Sequence, residues 1–163
     1  MTNSVNPLEE NTQPLRRFVV ESNAIEGIWD TQAGDVNAHL GFLAREPSIP
    51  ALSVFVRNVA SAELRDEPGM NVRVGSHVPP PGGPGVVYAL SALIDEADTL
   101  SPFELYCRYE NLHPFMDGNG RSGRALWLWR HNQLGTYRMA LQRGFLASFH
   151  YEALEAHDGR RKP

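Results

Sequence analysis

Residues 113–124 read HPFMDGNGRSGR. A histidine, a carboxylate and two arginines fall within these twelve positions. Immediately downstream, Ala125-Leu126-Trp127-Leu128-Trp129 is apolar on every face, and a helix of that kind is buried. The spacing predicts a central helix over 119–134 that stops near Gly135, with a polar loop at its N-terminal end. A loop this polar between apolar helices marks a site. The fold expected around it is all-α.

Working outward, Ser101-Pro102-Phe103-Glu104 is a capping box with proline in the first turn. It opens a helix that runs to about Leu112. Helical apolar spacing also recurs over 85–98, 50–65, 32–45 and 14–26, and a last helix is expected over 144–156. Thr12 followed by Pro14 suits a helix start, and Gly27 an end. Residues 68–85 read PGMNVRVGSHVPPPGGPG, with five prolines and five glycines around the alternating piece Asn71–Gly75. That stretch is expected to form a small β-hairpin flap, and its length suits a functional loop. The chain thus reads as one domain over 14–157, after a flexible N-terminus at 1–13 and before a frayed tail at 158–163.

Length and composition fit one domain with a real core: 163 residues, 42% hydrophobic and 21% charged. One cysteine, Cys107, allows no internal disulfide and no thiolate metal cluster, and it reads as a core residue. No apolar run approaches the roughly 20 residues of a membrane span. The start, MTNSVNPLEE, lacks the basic and apolar parts of a signal peptide, so the expected location is cytoplasmic. A net charge of −4 argues against nucleic-acid binding. Positive charge nevertheless collects near the loop: residues 1–99 balance at −7, and residues 100–163 at +3.

The loop's chemistry follows from its residue types. Gly118 and Gly120 let a ligand approach the backbone. The free N–H groups and dipole of the following helix make an anion site. Arg121 and Arg124 are three apart, share a face, and together suit a polyphosphate. Asn119 has an amide to donate to a phosphate oxygen. Asp117 would repel bare phosphate but suits Mg²⁺, which takes one or two carboxylates plus phosphate oxygens. His113, at the end of the preceding helix, is placed to take a proton from an incoming hydroxyl. Pro114 stops that helix, and Phe115 reads as the anchor of the loop. Singly, each residue has an ordinary explanation as a cap, a turn or a solvated charge. Eight specified types at fixed spacing do not.

These residues resemble the signature of the Fic family, H-x-F-x-[D/E]-G-N-G-R-x-x-R, at every specified position. The likeness extends to Ser101-Pro102, Tyr109-Glu110 and the Pro-rich stretch containing VRVG. It implies an all-helical domain with a β-hairpin flap, transferring AMP from ATP to a Ser, Thr or Tyr hydroxyl of a target protein. It implies His113 as general base, Asp117 as Mg²⁺ ligand, and Gly118, Asn119 and Gly120 as the anion hole. Arg121 would bind the phosphates, Arg124 the γ-phosphate, and the flap the target segment by strand addition. Doc-type kinases of the family carry Lys where Gly120 stands and lack the final arginine, so the chain departs from them.

Ser22-Asn23-Ala24-Ile25-Glu26-Gly27 resembles the family's inhibitory motif, [S/T]-x-x-x-E-[G/N], placed N-terminal to the core as in its second class. The resemblance implies that Glu26 pairs with Arg124 and denies that guanidinium to ATP. Three alternatives stay open: removal of AMP, another nucleotide donor, and a non-catalytic, toxin-like binding module. The target is unnamed by the sequence, and there is room for a homodimer that buries the inhibitory helix.

Overall fold

The computed structural model describes residues 7–159. Residues 1–6 of the expected flexible start and 160–163 of the expected tail lie outside them. Among the described residues there are eight helices: α1 (Pro7–Ile25), α2 (Ala33–Leu43), α3 (Ile49–Ala60), α4 (Pro84–Asp95), α5 (Pro102–Leu112), α6 (Asn119–Gln133), α7 (Tyr137–Arg143) and α8 (Phe145–Gly159). The domain is all-α, and none of these helices is long and apolar enough to cross a membrane.

Helix α6 is the partition of the core. Ala125, Leu126 and Trp129 face one apolar cluster, with Leu52, Phe55, Val86, Leu90, Leu105 and Phe115. Trp127 and Leu128 face the other, with Leu15, Phe18, Val19, Leu141 and Phe145. All five α6 residues are buried, which is why their sequence is apolar on every face. Phe18 of α1 stacks on Trp127 at 6.0 Å with its ring nearly parallel. Truncating Trp127 would cost about 3–5 kcal/mol, the usual range for a large buried aromatic.

Caps set the helix starts that aim the site. Ser48 accepts from the Ala51 N–H at 3.1 Å and starts α3. Ser101 accepts from the Glu104 N–H at 3.2 Å and starts α5, with Pro102 in the first turn as expected.

Several expected boundaries move. Helix α1 starts at Pro7 and carries Pro14 in its interior. Pro7 takes the first-turn place expected of Pro14, so residues 7–13 are helical. Helix α3 ends at Ala60, where Ser61 turns left-handed at φ 51°. Residues 63–65 pair instead with the loop: Met116 N–H donates to the Glu63 carbonyl at 2.9 Å, and Arg65 N–H to the Pro114 carbonyl at 2.9 Å. Helix α7 was not expected. It is seven residues long and buries only Ala140 and Leu141, too little to show a periodic stripe. Cys107 is half-buried.

The β-hairpin expected over 68–85 is not formed. That stretch holds one isolated antiparallel bridge, Val74 with His77. The prolines at 79–81 have no N–H to give a ladder. Gly82 packs back on the start of the stretch, where an added Cβ would lie 2.5 Å from the Met70 carbonyl oxygen.

Candidate active site

The 113–124 loop closes over the N-terminal end of α6. Phe115, fully buried, anchors it. Asn119, also buried, fastens both sides of the Phe115 backbone: its Oδ1 accepts from the Phe115 N–H at 2.9 Å, and its Nδ2 donates to the Phe115 carbonyl at 2.8 Å. One of the two amide hydrogens expected to face a phosphate is therefore committed to the loop. Gly118 sits at φ 76°, a left-handed conformation glycine adopts freely. A Cβ there would come within 2.7 Å of Ala60 Cβ. Ser122 Oγ donates back to the Gly118 carbonyl at 2.8 Å and pairs with the Tyr109 hydroxyl at 2.7 Å, joining α5 to α6. Asp117 is exposed on the loop, and its Oδ1 accepts from the Gly118 N–H at 2.6 Å.

The two arginines part company. Arg121 is buried and donates through Nη1 to the Val59 carbonyl at the end of α3. The orphan carbonyl of Val59 at that helix end holds one arm of the guanidinium, while Arg121 Nε is buried without a partner. Arg124 turns toward α1. Its Nε donates to Ser22 Oγ at 2.8 Å, its Nη2 to the Ser22 carbonyl at 2.9 Å and to Glu26 Oε1 at 2.6 Å. The Phe145 ring lies 5.7 Å beneath it.

Glu26 is the first residue beyond α1. Its carboxylate presses against the start of α6: a Cβ on Gly120 would be 2.1 Å from Glu26 Oε1. Arg124 is buried, but the Glu26 side chain is 37% exposed, so water screens the pair. The turn carrying Glu26 is fixed by Asn23, whose amide donates to Thr31 Oγ1 and Asp35 Oδ2, each at 3.1 Å. Gly27 follows, with its N–H donating to the Ala24 carbonyl at 3.0 Å.

His113 ends α5 in the left-handed conformation at φ 50°. Its Nδ1 is buried, 3.8 Å from Glu110 Oε2. Burial lowers the imidazole pKa below its ordinary value, and the charge on Arg65 pushes the same way. The ring is therefore neutral at pH 7. Burial also pushes the Glu110 carboxyl up to about 7; Arg124 opposes this and Glu26 reinforces it.

Two clefts of roughly 600 Å³ lie elsewhere, one between α5 and α8 and one between α2 and α3. Neither contains His113, Asp117 or Arg124. Chemistry, not cavity size, singles out the loop.

Sequence reading missed Arg65. It is fully buried and donates to the carbonyls of Leu112, His113, Met70 and Pro80. Lying between Glu63 and Asp66, it gives no signal that separates it from a solvated charge.

The Fic/DOC family model matches residues 50–129, which run from α3 through the loop into α6. No curated protein matches the chain. The match covers the loop's root at 63–65, its Asn119 brace and its arginines, and it agrees with the motif and with the all-α architecture. Residues 50–129 carry a Fic/DOC family domain.

Proposed function

We propose that this protein is an adenylyltransferase that moves AMP from ATP to a hydroxyl of a target protein, and that Glu26 holds it inactive. The observation that carries the reading is the Glu26 carboxylate, 2.6 Å from Arg124 and pressed on the first turn of α6. That spot combines orphan N–H donors, the positive end of a helix dipole and a guanidinium. It is an anion seat, and the carboxylate stands in for a phosphate oxygen of the nucleotide.

In the active form Glu26 swings away, and the terminal phosphate of ATP pairs with Arg124. The backbone N–H groups at the start of α6 bind the remaining phosphate oxygens. His113, neutral at pH 7, takes the proton of the incoming hydroxyl. The oxygen attacks the α-phosphorus, the bond to the bridging oxygen breaks, and pyrophosphate leaves. The proton then passes from His113 to solvent.

Asp117 would hold Mg²⁺. Among the described residues no group of three or more metal-binding side chains exists, and one exposed carboxylate with phosphate oxygens is a donor set that Mg²⁺ accepts. When bound, Mg²⁺ neutralises charge on the phosphates.

Glu26→Gly tests the reading. Incubated with Mg²⁺ and labelled ATP, this variant should label itself or a target at least tenfold faster than the wild type. About 2.8 kcal/mol of bias would make the difference a hundredfold. Equal labelling of both proteins sinks the inhibitory role. Label that arrives without adenine identifies a different transfer.

A further inference from the structure

Arg65 is a fully buried cation that the transfer mechanism above does not use. Its four acceptors are all main-chain carbonyls. Nε donates to His113 at 2.7 Å and Nη2 to Leu112 at 2.9 Å. Nη1 donates to Pro80 at 2.8 Å and to Met70 at 3.2 Å. A buried guanidinium is costly unless its donors are met, and here most of them are. Leu112 and His113 carry carbonyls at the end of α5, the negative pole of that helix, where a cation is favoured. Met70 and Pro80 bracket the mostly exposed stretch 71–78. A second tie joins this stretch to the same helix end: His77 Nε2 donates to the Asn111 carbonyl at 2.9 Å.

One planar fork thus spans three pieces of chain. A lysine, with a single point of attachment, cannot hold four acceptors in that fixed geometry. His113 is one of two non-glycine residues with positive φ among those described, and its carbonyl takes the shortest of the four bonds.

We propose that Arg65 is a positioning residue for His113: it holds the left-handed turn that aims the imidazole and ties that turn to the base of the 71–78 stretch. Docking of a target segment on that stretch and aiming of the base are then set by the same side chain. The kinetic consequence rests on the transfer reading; the structural consequence does not.

The test compares Arg65→Lys and Arg65→Met in the full-length Glu26→Gly chain. Both should lower the transfer kcat at least tenfold while the KM for ATP stays within about twofold, the pattern of lost alignment rather than lost binding. Amide exchange over residues 70–82 should speed up in both. The groups facing His113 are Arg65, Glu110, His77 and Glu26. The His113 titration, read by NMR, should therefore move up in Arg65→Met, which removes a charge, and stay in place in Arg65→Lys. A folded Arg65→Lys with kcat within twofold of its parent overturns the proposal, as does unchanged exchange over 70–82 in both variants. Should neither variant fold, the unsubstituted chain decides: Arg65 Nε–H should exchange as slowly as the His113 amide, and fast exchange overturns the clamp. If Glu26→Gly itself transfers nothing, the transfer reading fails while the exchange and titration arms still judge Arg65.

Discussion

Ser22 and Arg124 are joined twice across 102 positions of sequence, Oγ to Nε at 2.8 Å and carbonyl to Nη2 at 2.9 Å. The guanidinium is thereby aimed at α1 before Glu26 touches it. Ser22 orients the arginine, and Glu26, four positions on, pairs with it.

Ser22→Ala should separate the two effects. It strips one buried acceptor from Arg124 and leaves Nε unmatched, a loss of about 1–3 kcal/mol. Urea unfolding should show that drop. Labelling with ATP should fall between the wild type and Glu26→Gly, because Glu26 keeps its own bond. Labelling as fast as in Glu26→Gly would mean that Ser22, not the carboxylate, is the lock.

His113→Ala, placed in the Glu26→Gly chain, should cut transfer by roughly 10²–10⁴, the range for loss of a general base. ATP binding, followed by calorimetry, should persist, since His113 lies across the loop from Arg124. Retained transfer would remove His113 from the role of base.

Asn119→Ala distinguishes a brace from a phosphate donor. Phe115 would lose hydrogen bonds on both its N–H and its carbonyl in a buried place, so stability should fall by about 2–4 kcal/mol. A residue that served only to bind phosphate would leave the urea midpoint unmoved and raise the KM for ATP.

His39 gives a pH signature. It is fully buried, and its Nδ1 donates to the Asp35 carbonyl at 2.7 Å. Burial lowers its pKa to about 4 from the unfolded value of 6.5. Between these pH values the unfolded chain binds a proton that the folded chain refuses. The stability contributed by His39 is complete above pH 6.5 and is lost as pH falls to about 4, by on the order of 3 kcal/mol. His39→Leu should remove that part of the acid dependence in urea unfolding. A variant whose stability falls with acid as steeply as the wild type's would place the dependence elsewhere.

The residues that were legible in sequence are those whose pattern is local. Helix α6 announced itself because Ala125 to Trp129 have no polar face to hide. The loop announced itself through eight residue types at fixed spacing, and Glu26 through its distance from Ser22. Arg65 was silent because its four acceptors come from elsewhere in the chain and are backbone atoms, which leave no mark on side-chain identity. The divergence of Arg121 from Arg124 was silent for a related reason. Their three-residue spacing put them on one face, but the open carbonyl of Val59 decided where one of them went. The flap failed as a hairpin because alternation at Val72 and Val74 says nothing of whether the returning strand can donate, and prolines 79–81 cannot.

The anchoring of α1 bears on how the proposed inhibition would be relieved. Glu21 caps α8, its carboxylate accepting from the Phe145 and Leu146 N–H groups at 2.7 and 3.1 Å. Leu15, Phe18 and Val19 lie in the core beside Trp127. Removing that helix would strip Leu15, Phe18 and Val19 from the core. The turn beyond Ile25 is itself hydrogen-bonded, so what can move is the part-exposed Glu26 side chain, and side-chain motions take picoseconds to nanoseconds. Under the proposed inhibition, a lock of that kind would set no delay; it would act through the fraction of molecules ready for ATP and weaken the apparent affinity for nucleotide by that fraction.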